Sequence, residues 1–296
     1  MTTASVHKTV LLNETIDGLN LSPGMVVLDA TFGGGGHSRE ICERYKDVKI
    51  FALDQDKSAF KKAEHKFNNL KCNIVSINAN FRDIDKVIDT PVDGIIFDLG
   101  LSSDQLENSG RGFSFLKDEP LLMTMKENPK EEDLTALDIV NTWEEESIAN
   151  ILHGYGEERF AKKIARKIVE ERENKEIKTT TDLVKIISEA VPGVYRRGKI
   201  HFATKTFQAL RIAVNDELQS LQAGLSNGFE ILKSGGRMAV ISFHSLEDRI
   251  VKRFFKEKKE EGKAILINKK PIISQEEELK INKRARSAKL RIISRL

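Results

Sequence analysis

The chain has 296 residues, 40% hydrophobic and 31% charged, with a net charge of +3; that length suits one large domain carrying an insertion better than three domains. No apolar run reaches the roughly 18–20 residues that span a bilayer, the N-terminal stretch MTTASVHKTVLLNET lacks an apolar signal core, and Cys42 and Cys72 alone make neither a disulfide framework nor a zinc site. A cytosolic, reduced protein without a metal is therefore expected.

Short apolar runs alternate with helical patterns over the first hundred residues. MVVLDA (25–30), KIFALD (49–54), CNIVSI (72–77) and GIIFDLG (94–100) read as strands, with helices over SREICERYK and KSAFKKAEHKF. Such alternation predicts a parallel sheet wound by right-handed crossovers, and near-continuous apolar strands predict helices on both faces. From about Asp104 to Phe202 the rhythm gives way to amphipathic helical patterns, clearest in SIANILHGYGEERFAKKIARKIVEER and in TTDLVKIISEAV, where Thr and Asp stand at the N-cap. From Thr206 to Leu232 apolar residues step by three or four, as on one helix face. KSGGRMAVISFHS then reads as a Gly-rich turn and a strand, and KAILIN and AKLRIISR as two more. The predicted architecture is a doubly wound, mostly parallel α/β domain (1–104 and 204–296) interrupted by a helical substrate or lid domain (105–203).

Charge is unevenly spread. The last sixteen residues carry six Lys or Arg and no acid, and YRRGKIHFATK (195–205) is a second basic stretch. Both point to a polyanionic partner, or to solvated basic surface.

Ligands of open α/β sheets bind at the carboxyl ends of the strands. There the glycines Gly33, Gly34, Gly35 and Gly36 open a helix, whose N–H groups and dipole suit a carboxylate or a phosphate. No Gly-Lys-Ser/Thr follows, which excludes a P-loop NTPase. Asp54, eighteen residues beyond Gly36, stands where an acid meets ribose hydroxyls, in NAD and S-adenosylmethionine sites alike. The next block, DLGLSS, separates these two. Asp98, Ser102 and Ser103 are small acceptors, as methyl transfer to an exocyclic amine requires, whereas hydride transfer usually wants a general acid, which DLGLSS lacks, though His244 keeps that option open. In GRGFSF, either Phe113 or Phe115 stacks on an extruded base while Arg111 meets a phosphate, or both pack the hinge of the insertion into the core. In ISFHSLEDR, Ser242 and His244 either face the substrate or, for His244 with Ser245, cap the next helix, with Asp248 and Arg249 as an ion pair.

With these blocks in view the sequence resembles the bacterial ribosomal RNA small-subunit methyltransferase H family, also called MraW. The likeness runs nearly end to end, through HKTVLLNE, DATFGGGGHS, DLGLSS-QL, RGFSF, YGEER, KTFQALRI-VN-EL, GGR-AVISFHSLEDR-VK and RSAKLR. It implies a class I, Rossmann-like S-adenosylmethionine-dependent methyltransferase fold, no metal, and methylation of N4 of a cytidine in the decoding region of 16S rRNA, leaving S-adenosylhomocysteine. By position it implies that Gly35, Gly36 and His37 meet the methionine part of the cofactor, Asp54 the ribose and Phe81 the adenine, with Asp98 and Gln105 as further contacts. Asp98, or the carbonyls of the Leu99–Ser103 turn, would then accept the N–H bonds of the amine. RNA contacts are expected from Arg196, Arg197, Lys199, Lys205, Lys283, Arg284, Arg286, Lys289 and Arg291, with steep salt dependence. In one place the chain departs from the family: DEPLLMTMK stands where the pattern is close to DGPLDMRMD, so Glu119, Leu122 and Thr124 replace glycine, aspartate and arginine. A dinucleotide-dependent oxidoreductase, a non-catalytic RNA-binding factor and a methyltransferase of another nucleic acid are the rival readings. The sequence leaves monomer and homodimer equally open, as it does free rRNA and the small subunit as substrate.

Overall fold

The computed structural model describes residues 8–68, 70 and 72–296. It comprises two compact units, one formed by Met1–Gly100 with Leu218–Leu296 and the other by Leu101–Glu217. The first is built on a seven-stranded sheet: β1 (Val26–Asp29), β2 (Lys49–Asp54), β3 (Asn73–Asn78), β4 (Val92–Asp98), β5 (Leu232–Ser242), β6 (Ala264–Leu266) and β7 (Lys289–Arg295). Their order is β3-β2-β1-β4-β5-β7-β6. Strands β1 to β5 run parallel, and β7 is antiparallel to β5 and β6. The order reverses between β1 and β4, the switch point at which an open α/β sheet takes its ligand. This is the doubly wound, mostly parallel α/β fold that the strand rhythm predicts.

Successive strand side chains face opposite sides of a sheet, and here both sides are covered. Leu28, Ile95 and Phe97 belong to one core with Leu225 and Phe229. Val27, Ile50 and Ile96 belong to another with Ile41, Ile241 and Leu290. This double burial is why the strands read as continuous apolar runs, and each fully buried large side chain contributes about 1.5–3 kcal/mol relative to exposure. The glycine-rich turn expected ahead of β5 lies inside that strand instead. Val92 pairs with Leu232 and Gly94 with Arg237, so the intervening residues loop out, with Gly235 in the left-handed region.

Cys42, on the helix Gly36–Arg44, and Cys72, just before β3, form a disulfide with their Cα atoms 5.5 Å apart. This corrects the expectation of reduced thiols. The pairing of β2 with β3 places Val48 and Cys72 in contact, which brings residues thirty apart in sequence within bridging range.

The second unit is helical, with one isolated bridge between Pro120 and Thr179. Thr179 caps the helix Thr180–Ala190 in a capping box with Asp182, one residue before the TTDL stretch in which the sequence placed the cap. The long pattern before it divides into two helices, Glu145–Gly154 and Ala161–Asn174. The YGEER segment breaks it, and Glu157 takes a left-handed conformation there. The stripe from Thr206 to Leu232 is also two helices, Thr204–Asn215 and Glu217–Ile231, separated by left-handed Asp216. Its first half buries Phe207 and Leu210 in the helical core, its second half Leu221, Leu225 and Phe229 against the sheet. The helix Thr204–Asn215 thus packs with the helical unit, and not, as its periodicity suggested, with the α/β domain. Among the described residues no helix is long and apolar enough to cross a membrane.

Candidate active site

The site is assembled from strand ends. Asp29 closes β1 and is buried, its two oxygens accepting from the Ser38 hydroxyl at 2.6 Å and the Thr31 amide at 3.3 Å. The Thr31 hydroxyl in turn accepts the Asp98 amide at 2.6 Å. One acid thereby ties β1, the glycine-loop helix and the end of β4 together. Across the loop, Asp54 accepts the Gly33 amide at 2.7 Å and the Asp56 amide at 2.8 Å, while Lys66 donates to the Gly34 carbonyl at 2.7 Å.

Two of the four glycines have a specific steric reason. Gly35 is left-handed, and a Cβ there would stand 2.9–3.0 Å from the Phe32 and Phe67 rings. A Cβ on Gly36 would clash with the Thr9 hydroxyl. The helix Gly36–Arg44 therefore begins with a bare, tightly seated turn whose first amides have no intrahelical acceptor. This is the arrangement that receives an anionic group.

Asp98 is the electrostatic centre. Its side chain keeps 24% of its surface accessible and lies 3.7 Å from buried His37, yet its Oδ1 is enclosed without a hydrogen-bond partner among the described residues. Burial first, then the nearby Asp29 and Glu247 carboxylates, pushes its pKa up to about 8. Asp29 rises to about 6, chiefly through burial, opposed by its bonds from Ser38 and Thr31. Two acids that resist ionising beside an anion-receiving loop suit a ligand that brings positive charge and amine donors.

The block after β5 carries structural contacts at both of its predicted residues. The Ser242 hydroxyl is buried against the Lys289 carbonyl on β7. His244 caps the helix Ser245–Glu260: its Nδ1 accepts the Glu247 amide at 3.4 Å, and its Nε2 lies 3.2 Å from Glu247 Oε1. Glu247 closes the box by accepting the Phe243 and His244 amides. Asp248 pairs with Arg291 at 2.7 Å and Lys289 at 3.0 Å, not with Arg249 as the sequence suggested.

Phe81 follows β3 and meets Phe97 edge-on at 5.6 Å. A Cβ at Gly224 would touch the Phe81 ring at 2.7 Å, so that ring is fixed in place. The DLGLSS block spans the two units, which divide after Gly100. In the helical unit Ser102 caps the helix Ser103–Asn108 in a box with Gln105, whose Oε1 accepts the Ser102 amide at 3.0 Å. The Ser103 side chain lies outside the described residues.

Arg111 and Phe113 do not form an RNA surface. Both are buried. The Arg111 guanidinium donates to the Met125 and Lys126 carbonyls at 2.9 and 2.8 Å, and Phe113 sits in the helical core. The unusual DEPLLMTMK segment is fastened here as well. Glu119 accepts the Gly112 amide at 2.9 Å, buried Thr124 accepts the Lys126 amide, and Met125 is tied to Asn215 at 2.7 Å. The substituted residues are thus built into the helical unit's own packing.

Among the predicted basic contacts, Arg197, Lys199, Lys283 and Arg286 are exposed. Arg284 is half-buried. Arg196, also exposed, reaches Ser188 at 3.2 Å, and Lys205 donates to the Glu157 carbonyl at 2.7 Å. Arg291 is buried and shares the Asp248 carboxylate with Lys289, and its burial removes it from the phosphate-facing set. Sequence reasoning placed Asp29 at the ligand end of β1 without a role, and missed Ser38, Lys66 and Glu247. The H-S-L-E spacing signals the last as a capping partner, and Asp29 ends a strand directly before the glycines, but nothing marks Lys66.

A model of the MraW methylase family matches residues 4–296. A Carboxydothermus hydrogenoformans protein named ribosomal RNA small subunit methyltransferase H is 47% identical over 98% of this chain and 98% of its own length. A Paenibacillus protein of the same name is 43% identical over 98% of this chain and 99% of its own.

Proposed function

The chain belongs to the MraW methylase family, and from that premise we propose that it transfers a methyl group from S-adenosylmethionine to the N4 amine of a cytidine in the decoding region of 16S rRNA. It would act in the cytoplasm as an rRNA (cytosine-N4-)-methyltransferase on the small ribosomal subunit. The observation that carries this reading is the enclosed oxygen of Asp98 at the switch point, without a hydrogen-bond partner among the described residues, next to a glycine loop braced by Asp29 and Asp54.

These residues fit the cofactor. The Gly33–His37 turn would receive its carboxylate, Asp54 its ribose hydroxyls and Phe81 the face of its adenine, with Asp98 as a further contact. When bound, the cofactor supplies an electrophilic methyl group on a sulfonium. Cytosine N4 is a weak nucleophile because its lone pair is delocalised into the ring. Asp98, when ionised, would accept one of its N–H bonds and take the proton released as the methyl group passes from sulfur to N4, the S–CH3 bond breaking to leave neutral S-adenosylhomocysteine. Its raised pKa favours retaining that proton. Holding the base in line can supply several kcal/mol, about 7–11 at the limit. Arg197, Lys199, Lys283 and Arg286 provide phosphate contacts.

Calorimetric titration tests the cofactor half of the proposal. S-adenosylhomocysteine should bind saturably with one site per chain, and NAD should not bind. The reverse pattern would establish the dinucleotide reading.

A further inference from the structure

The helical unit presents an aromatic arrangement that the basic residues alone do not explain. The His201 imidazole stacks on Phe115 at 4.4 Å and 8°, and on Phe202 at 4.2 Å and 29°. Phe115 is itself held edge-on by Phe207 at 5.5 Å. The ring is thus clasped by two neighbours, yet His201 remains exposed to solvent. Its Nδ1 accepts the Ala203 amide at 3.3 Å, which fixes the neutral tautomer with the proton on Nε2. Burial against the rings lowers the pKa of His201, so the neutral form prevails near pH 7. Its Nε2 makes no hydrogen bond among the described residues. Exposed polar groups normally rotate freely; this donor is held still.

Its surroundings indicate what it meets. Leu116 and Ile200, the chain neighbours of the stacked pair, are 81% and 53% exposed, giving the donor an apolar border. Arg197 and Lys199 lie just upstream, exposed and without a side-chain partner among the described residues. The same segment is anchored by Tyr195, whose hydroxyl donates to buried Glu158 at 2.6 Å. Arg159 packs 4.7 Å over the Tyr195 ring. A rigid neutral donor, bordered by apolar surface and flanked by free cations, suits an unpaired base on an anionic strand. A duplex would turn its base edges inward, and a purely electrostatic surface needs no oriented donor.

We infer that His201 contacts RNA directly, its Nε2–H donating to an acceptor on the edge of an unpaired base whose flanking phosphates meet Arg197 and Lys199. This rests on the rRNA reading above and adds a recognition residue to it.

The test measures binding of the full-length protein to a labelled single-stranded RNA of mixed sequence across a salt series. Methyl transfer to small ribosomal subunits is measured in parallel. His201→Phe preserves the stack and removes the donor. It should bind about tenfold more weakly with an unchanged salt slope, because the lost group is neutral. The double variant Arg197→Ala/Lys199→Ala should instead flatten the slope of log K against log salt by about 1.4. Both variants should match wild type in S-adenosylhomocysteine binding and melting temperature. If wild type methylates subunits but His201→Phe binds RNA as tightly as wild type, this inference alone fails. If wild type neither binds nor methylates RNA, the functional reading fails and this inference with it.

Discussion

Replacing Asp98 by Asn should lower the rate of methyl transfer by about 10²–10⁴-fold, the range that a positioned proton acceptor contributes. The amide keeps one oxygen that can accept a hydrogen bond but cannot take the proton. The pH profile should change with it. Wild-type Asp98 holds its own proton below about pH 8 and accepts another group's only when ionised. Activity should therefore climb as pH rises toward 8 in the wild type and lie flat in Asp98→Asn. Folding stability should move in the opposite sense. An unfolded aspartate ionises near pH 4, whereas the folded one resists ionisation up to about 8. The stability associated with this group is full below about pH 4 and is lost as pH rises toward 8. Asp98→Asn removes that loss, so its advantage in unfolding free energy over wild type should grow across this window, by on the order of a few kcal/mol at its upper end, and its melting temperature should rise accordingly. An unchanged rate, or a melting difference independent of pH, would remove Asp98 from the centre of the mechanism.

Asp54→Ala should weaken S-adenosylhomocysteine binding by about a hundredfold and lower the melting temperature at the same time. Two backbone amides, those of Gly33 and Asp56, depend on this carboxylate. Hydrogen bonds to a charged acceptor contribute roughly 1.5–3 kcal/mol each, and losing the acceptor leaves their donors unsatisfied. The glycine loop would lose its brace and the cofactor its ribose acceptor together. Asp54→Asn retains a carbonyl for one amide and should fall between the two. Calorimetry and thermal melting on the same preparations separate the effects: loss of binding without loss of stability would assign Asp54 to the ligand alone.

Those parts of the architecture with a compositional signature were legible in the sequence. Strands β1 to β4 announce themselves because a sheet covered on both faces leaves no polar alternation. The glycine loop announces itself because a left-handed turn packed against Phe32, Phe67 and Thr9 tolerates no other residue. The break at Asp216 has no such mark. A single left-handed aspartate interrupts the helix while the three- and four-residue spacing continues through it, so one apparent stripe serves two cores. Arg111 reads in GRGFSF as a surface cation, since burial of a guanidinium depends on carbonyls fourteen and fifteen residues away. His244 was ambiguous for a different reason: a strand-ending histidine and a helix-capping histidine occupy the same place in the sequence, and only Glu247 closing the box decides between them. The Cys42–Cys72 pairing depends on strand register, which two isolated cysteines do not reveal. The fixed donor on His201 is likewise invisible in YRRGKIHFATK, because its partner Phe115 stands eighty-six residues earlier.

The central claim is methyl transfer to cytidine N4 with Asp98 as acceptor. Its most direct test incubates small ribosomal subunits from a strain lacking this modification with S-adenosylmethionine carrying a labelled methyl group. Wild-type protein and the Asp98→Ala variant are compared, the 16S rRNA is digested, and the labelled nucleoside is identified by mass. The account predicts N4-methylcytidine from a site in the decoding region with wild type, and little or none with the variant. Label in any other nucleoside, or equal transfer by the two proteins, would contradict it.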